Sequence, residues 1–298
     1  MDTVAPGKAK HAILFPDRTI RSDGTTVLGA DDAAGITAIL EALTVIREQH
    51  LKHPRIVVLF SVDEERYSRG LSSFSFDTVQ SPIAYVLDLT GKIGTAAVSA
   101  PSILSLNITV SGKAAHAGFS PEEGINALSI AAKALSGLQT GHVEPDTTVN
   151  FGTISGGSGK NIVPAKVSIQ GEIRSLRHER ALAAAEQIRS RFEEEAEKFS
   201  GHAEVLVTEE LRAYRVAENA PVVTRFQRAL DSLGYGKGEL ITTFGGSDNN
   251  RFQFAGISGI VLACAMENVH TVAEYSDLNE LQKSAELTLR LMTLEDEP

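Results

Sequence analysis

The chain contains a single cysteine, Cys264, among its 298 residues. One cysteine excludes an internal disulfide framework, and such sparse usage is typical of a reducing compartment such as the cytoplasm. Cys264 lies in an apolar segment, and no histidine adjoins it in a recognisable motif. We therefore interpret it as a small buried side chain rather than a nucleophile.

Long apolar runs and basic clusters are also missing. No apolar run reaches the roughly 18 residues that a membrane span needs, and no signal-peptide pattern opens the chain. We therefore expect a cytoplasmic protein with no membrane partner. Acidic residues outnumber basic ones by 38 to 28, and the net charge is −10. Clusters of Lys and Arg bind the phosphate backbone of nucleic acids. Because this chain has no such cluster, nucleic acid is not an expected partner. Bound cations would offset part of this acidity.

The apolar pattern predicts two domains of different class. A helix over 31–49, a buried strand over 55–62 and a strand over 83–87 predict an α/β fold whose sheet is mostly parallel and flanked by helices. Alternating strands and amphipathic helices then follow in the order βαββαβ, which is typical of a ferredoxin-like α+β unit. The predicted bounds are 1–99 and 210–298 for the α/β domain, and 100–209 for the inserted one.

Acids and a histidine follow four apolar segments of the predicted α/β domain. These residues are Asp31-Asp32, Glu64-Glu65, Asp88 and His270. Each alone has a plainer explanation, such as a helix N-cap, a solvated loop or a packing histidine. However, all are predicted at the carboxyl ends of strands of one sheet, where open α/β sheets build their sites. This coincidence favours one shared site.

The residue types at these strand ends predict a hydrolytic metal centre. Asp, Glu and His are the ligands of zinc-like ions, and a further carboxylate can serve as the base. Asp31 suits a bridge between two ions, because its short side chain lies on a glycine-flanked turn. Asp32 cannot point to the same position from a normal backbone, so we interpret it as orienting the ligands from behind or as part of a strained turn. Of Glu64 and Glu65, one is expected to bind metal and the other to act on water.

Several motifs that run in order along the chain resemble those of a known family. They are Asp2-Thr3-Val4, Leu28-Gly29-Ala30-Asp31-Asp32-x-x-Gly35, Phe60-Ser61-x-Asp63-Glu64-Glu65, Gly112-x-x-Ala115-His116-Ala117-Gly118, Gly156-Gly157-x-x-x-Asn161-Ile162-Val163-Pro164, Gly171-Glu172-Ile173-Arg174-Ser175, Gly245-Gly246-Ser247-Asp248 and Val269-His270-Thr271-x-x-Glu274. With these motifs the chain resembles the peptidase T branch of the di-zinc exopeptidase superfamily. The resemblance covers essentially the whole chain.

The resemblance implies a metal centre with defined roles. Asp31 would bridge two zinc ions, with cobalt or manganese as alternatives. Glu65 and His270 would bind one ion, Asp88 the other, and Glu64 would be the general base and acid.

It also implies residues that support the metal centre and bind substrate. Asp2 would orient a histidine that precedes it by two residues in the family. The inserted domain would be a lid and dimerisation domain. In it His116 would stabilise the oxyanion, while Arg174 and Asn161 would hold the terminal carboxylate and backbone of a short peptide.

The chain departs from the family at its start and in one turn. The family motif reads His-x-Asp-Thr-Val, so its metal-binding histidine would precede Met1. One interpretation, which we favour, is that the parent protein is longer and is an intact peptidase. The other is that the chain is a crippled or repurposed member of the family, in which the second ion is lost. His11 is a poor substitute, because it lies nine residues from Asp2 in a loop. Tyr67 replaces a family glycine, which indicates an altered pocket wall.

The sequence therefore predicts an aminopeptidase that removes N-terminal residues from short peptides by metal-activated water. It is expected to form a homodimer. One alternative is a deacylase or carboxypeptidase with the same machinery, and another is a non-catalytic dimeric protein.

Overall fold

A computed structural model describes residues 2–295, so Met1 and residues 296–298 of the predicted domains lie outside it. The described residues form two compact units. The split unit comprises residues 2–100 and 214–295, and the inserted unit comprises residues 101–213. The sequence prediction placed these two boundaries after residues 99 and 209.

Helices and strands occur in both units. The helices are α1 (Ala30–Gln49), α2 (Ala127–Ser136), α3 (His178–Lys198), α4 (Pro221–Leu233), α5 (Asp248–Phe254) and α6 (Leu278–Thr293). The strands are β1 (Ile13–Leu14), β2 (Thr19–Arg21), β3 (Ile83–Leu89), β4 (Thr95–Ala100), β5 (Ser102–Ser111), β6 (Gly141–Glu144), β7 (Thr147–Gly156), β8 (Lys166–Ser175), β9 (His202–Leu211), β10 (Tyr214–Arg215), β11 (Glu239–Thr242), β12 (Ser258–Ala263) and β13 (Tyr275–Asp277). None of the helices within residues 2–295 combines the length and the apolar character of a bilayer span.

The main sheet of the split unit confirms the α/β class but is mixed rather than mostly parallel. Its strands lie in the order β10-β4-β12-β3, and β11 also pairs with β4. The pairs β3–β12 and β4–β11 are parallel, whereas β4 runs antiparallel to β10 and β12. Buried side chains of β4 and β12 pack against α4 and α6, and those of α1 pack against the end of β3. The sheet and its helices thereby hold the carboxyl end of β3 in a fixed place.

The predicted strand over 55–62 is wrong. Residues 51–61 have no regular secondary structure, and Val57 and Val62 are 42% and 60% exposed. A strand needs a hydrogen-bonded neighbour, and within residues 2–295 β3 pairs only with β12. A cavity of about 460 Å³ is lined by residues 54–61 together with residues of β3, α1 and α6. The apolar run therefore lines a cavity instead of joining the sheet.

The inserted unit has the predicted ferredoxin-like pattern. Its antiparallel sheet has the order β6-β7-β8-β5-β9, with β6 as an additional short strand. Alternate residues of β5, from Leu104 to Val110, are buried against α2 and α3, as the period-2 alternation of a half-buried strand requires. The sheet and these two helices enclose one apolar core.

Candidate metal centre

Three of the predicted metal ligands lie together in the split unit. Asp31, Glu65 and His270 each offer a ligand atom, and these atoms all lie within 4.8 Å of one another. Nε2 of His270 lies 3.1 Å from Oδ2 of Asp31 and 3.0 Å from Oε2 of Glu65. Among residues 2–295, Oε1 of Glu65 is buried without a hydrogen-bond partner. Two carboxylates, an imidazole and an unsatisfied buried oxygen fit a zinc-like cation.

The three ligands come from distant parts of the chain. Asp31 lies at the start of α1, where its φ and ψ of −82° and 101° are not helical. The residue before this turn, Gly29, has a φ of 78°, which favours glycine. Glu65 lies on a short 3₁₀ turn over Glu64–Arg66, and His270 lies in a loop with a φ of 63°. The side chain of His270 is 50% exposed, so the cluster opens to solvent on this side.

Glu64 and Asp88 lie outside this three-residue cluster but are electrostatically close to it. Burial raises the pKa of Glu64 to about 8, and the carboxylates of Asp248 and Glu65 add to the effect. Burial also raises the pKa of Asp88 well above its usual range, with Glu64 as the largest contributing charge. These acids are crowded in a poorly solvated place. A bound cation would favour their charged forms.

The pKa values of the two ligand carboxylates, Asp31 and Glu65, are also raised. Burial raises the pKa of Asp31, whereas the imidazole of His270 acts in the opposite direction. Burial, followed by the charge of Asp31, also raises the pKa of Glu65. The cluster therefore concentrates negative charge that the one histidine only partly offsets.

Asp2 and Asp32 contact the backbone around these acids. Oδ1 of Asp2 accepts a hydrogen bond of 2.9 Å from the backbone N–H of Glu64. Oδ1 of Asp32 accepts one of 3.0 Å from the backbone N–H of Gly35, and Sγ of the buried Cys264 lies 3.6 Å from the same oxygen. Asp32 thus holds the first turn of α1, and its role toward the ligands stays a prediction. Cys264 is buried, as the sequence predicted.

The three predicted substrate-binding residues all lie in the inserted unit. His116 forms a strand-like bridge with Ile162, and the backbone N–H of Ala117 donates to the carbonyl of Asn161 over 3.0 Å. His116 and Asn161 are therefore neighbours. Nδ1 of His116 accepts backbone N–H groups of the turn that follows it. Arg174 donates from Nε and Nη2 to the two carboxylate oxygens of Glu172, over 2.8 and 3.2 Å.

Two acids beside the cluster received no role in the sequence prediction, although both end quoted motifs. Oδ2 of Asp248 accepts a hydrogen bond of 2.5 Å from the hydroxyl of Ser61. Glu274 accepts backbone N–H groups on both sides of Ala30. Both lie in polar segments without periodicity, so their local sequence carries no sign of burial. Glu274 lies four residues after His270 in the same quoted motif, and this place in the motif is the signal that could have found it.

Comparisons with known proteins found several similar chains. The peptidase dimerisation domain family matches residues 98–200. The uncharacterized protein YqjE of Bacillus subtilis is 36% identical over 98% of this chain and 78% of its own length. The crystal structure of aminopeptidase PepT from Bacillus cereus is 36% identical, with a TM-score of 0.88. That of a tripeptidase from Staphylococcus aureus is 35% identical, with a TM-score of 0.93. Both structural matches cover 98% of this chain and 78% of the other.

These similarities run nearly from end to end of the chain, through both units. They confirm the resemblance that the ordered motifs predicted, including the dimerisation domain between the two parts of the α/β domain. They also confirm that the protein is a peptidase and hence a hydrolase. The chain belongs to the M20 peptidase family, as a peptidase T-like member.

Proposed function

We propose that this protein is a metal-dependent aminopeptidase that removes N-terminal residues from short peptides, tripeptides in particular. The observation that carries the proposal is the convergence of Asp31, Glu65 and His270, with the buried acid Glu64 next in sequence. The similarity to an aminopeptidase and to a tripeptidase supports the reaction and the peptide length.

The proposed cofactors are two divalent ions. Zinc is the first choice, and cobalt and manganese are the alternatives. Asp31, Glu65 and His270 would hold one ion, and Asp88 together with Asp31 would hold the second. Such an ion lowers the pKa of its bound water towards about 7 and polarises a carbonyl group.

Glu64 is the proposed general base and acid. It lies buried among acids, directly before the ligand Glu65, where a bound cation would favour the charged form that accepts a proton. Asp2 holds the backbone N–H of Glu64 and thereby fixes the turn that carries the base. Glu64 would take the proton of the attacking water and return it to the amide nitrogen of the second residue, which becomes the new N-terminal amine of the shortened peptide as the bond breaks.

The proposed substrate-binding residues are His116, Asn161 and Arg174. A homodimer is also proposed, and the match to a dimerisation domain supports it. His116 would donate to the developing oxyanion from Nε2, because Nδ1 already accepts backbone hydrogen bonds. Arg174 would bind the terminal carboxylate of the peptide, which must displace Glu172 from the guanidinium. A cytoplasmic location, where short peptides are degraded, completes the proposal.

The function is tested by assaying the zinc-reconstituted protein with a free tripeptide and with the same tripeptide acetylated at its N-terminus. We expect release of the N-terminal residue from the free peptide only, loss of this activity with a chelator, and its recovery with zinc. Hydrolysis of the acetylated peptide alone would instead indicate a deacylase. A zinc-loaded protein that cleaves neither peptide would contradict the proposal.

A second prediction concerns Arg174. Lysine keeps the charge but cannot make the two parallel hydrogen bonds of a guanidinium, so Arg174→Lys should raise the KM for a tripeptide by about 10-fold. A tripeptide amide lacks the terminal carboxylate, and its KM should be the same in both proteins. Arg189→Lys on the exposed face of α3 is the matched control. An equal rise in KM for peptide and amide would show that Arg174 does not bind the carboxylate.

A further inference from the structure

Glu274 is almost completely buried, with 1% of its surface exposed, and both of its carboxylate oxygens accept backbone hydrogen bonds. Oε2 accepts from the N–H of Gly29 over 2.7 Å, and Oε1 accepts from the N–H of Asp31 over 2.9 Å. The two donors lie more than 240 residues earlier in the chain. Burying a carboxylate costs free energy unless its oxygens accept hydrogen bonds. The two bonds therefore fix the backbone of Gly29 and Asp31 relative to the side chain of Glu274.

The contact lies at the start of α1, just before the turn that Asp32 caps through the N–H of Gly35. The N-cap position is Gly29, which has no side chain to accept the first free N–H groups of the helix. Glu274 accepts N–H groups there from a distant part of the chain, and its negative charge suits the positive end of the helix. Asp31, the proposed bridging ligand, is one of the two residues held in this way.

The backbone of Glu274 belongs to the loop that carries His270. The backbone groups of Glu267 and Tyr275 exchange two hydrogen bonds of 3.0 Å and close this loop at its base. Within it, the N–H of Glu274 donates to the carbonyl of Thr271 over 3.2 Å. The position of Glu274 therefore determines where the tip of the loop, with His270, meets the start of α1.

We propose that Glu274 is a positioning residue that sets the distance between Asp31 and His270, and with it the fit of their ligand atoms to a divalent cation. This inference rests on the proposed metal-dependent function. Glu274 does not contact the ion in this arrangement. It acts through the backbone of Asp31 on one side and through the loop of His270 on the other.

The informative substitution is Glu274→Gln, which keeps the size of the side chain but places an NH₂ group against one of the two backbone donors. The matched control is Asp277→Asn. Oδ1 of Asp277 also accepts two backbone N–H groups at a helix start, those of Asn279 and Glu280, but it holds no proposed ligand. Both variants replace a buried or half-buried carboxylate by an amide within three residues of each other, and both remove one negative charge at a helix start. Only Glu274→Gln must place an NH₂ group against a backbone donor, because both N–H groups at Asp277 donate to one oxygen.

The experiment measures zinc affinity by competition with a chromophoric chelator, and the visible absorption of the cobalt-loaded protein, for the full chain and both variants. We expect Glu274→Gln to weaken zinc binding by about 10–100-fold, the range found for residues that orient metal ligands. Its cobalt bands should change in position or intensity. Asp277→Asn should match the wild type in both readouts, even where its melting temperature falls.

Each contrary result has a distinct meaning. Wild-type zinc affinity and cobalt bands in Glu274→Gln would overturn the positioning role, and so would an equal loss in Asp277→Asn. If Glu274→Gln does not fold, Glu274→Asp gives the same readout, because it keeps both oxygens but withdraws them by one methylene. A wild-type chain that binds neither zinc nor cobalt would overturn the proposed function itself, and this inference with it.

Discussion

A Glu64→Gln variant is expected to lose about 10²- to 10⁴-fold in kcat for a tripeptide, the usual contribution of a general acid–base residue. Glutamine has nearly the shape of glutamate but cannot accept and return a proton. The hydrogen bond from the backbone N–H of residue 64 to Asp2 does not involve the side chain and should persist. Because Glu64 is not among the clustered ligands, the zinc content should be unchanged. Steady-state kinetics and elemental analysis of the same preparations test both statements.

Glu41→Gln is the matched control, since it removes an exposed carboxylate from α1 in the same unit. It should leave kcat and zinc content unchanged. A Glu64→Gln variant that retained wild-type kcat would contradict the base assignment. A variant that lost its zinc would show that Glu64 holds the metal instead.

The stability of the metal-free protein gives a second readout for Glu64. Its pKa rises from the ordinary value of 4.5 to about 8 on folding, so the folded state favours the neutral form. This preference favours folding below the unfolded pKa and is lost as the pH rises through the folded one. Between about pH 5 and 8 the wild type should therefore lose stability relative to Glu64→Gln, as thermal melts at both pH values would show.

Removal of His270 should have the second large effect, on metal binding. His270→Ala deletes the single imidazole of the cluster and leaves the carboxylates of Asp31 and Glu65 to share a cation. Zinc affinity should fall by more than the 10–100-fold typical of residues that only orient ligands, and peptidase activity should fall with it. The melting temperature without metal should change little, because half of the His270 side chain is already exposed.

His202→Ala, which removes an exposed histidine from β9 in the inserted unit, is the control for nonspecific loss of metal. It should bind zinc as the wild type does. Equal zinc affinity in His270→Ala and the wild type would remove His270 from the ligand set. It would also remove the main support for a metal centre at this cluster.

The sequence predicted the features that depend on local pattern. The acids beside Gly29 and Gly35, and the Glu64-Glu65 pair, stand out because the motifs that contain them are contiguous. The family resemblance rested on the order of such motifs, and the comparisons confirm it. The roles of individual site residues remain predictions, although the structure brings Asp31, Glu65 and His270 together.

The features that the sequence did not predict depend on contacts between distant segments. Strand β4 is fully buried but rich in alanine, so it lacks the β-branched signal of a strand. The apolar run over 55–62 has that signal, but no strand among residues 2–295 pairs with it. Glu274 lies in a polar loop, and its partners at the start of α1 cannot be inferred from its neighbours in sequence.

The zinc stoichiometry of the full chain shows whether Asp31, Glu65 and His270 form a metal site. The protein is reconstituted with zinc, dialysed and analysed for metal together with His270→Ala. We expect at least one tightly held zinc ion per chain, with a second when Asp88 also takes part, and loss of the tightly held ion in His270→Ala. A wild-type chain that retains no zinc, or a variant that retains as much as the wild type, would contradict this expectation.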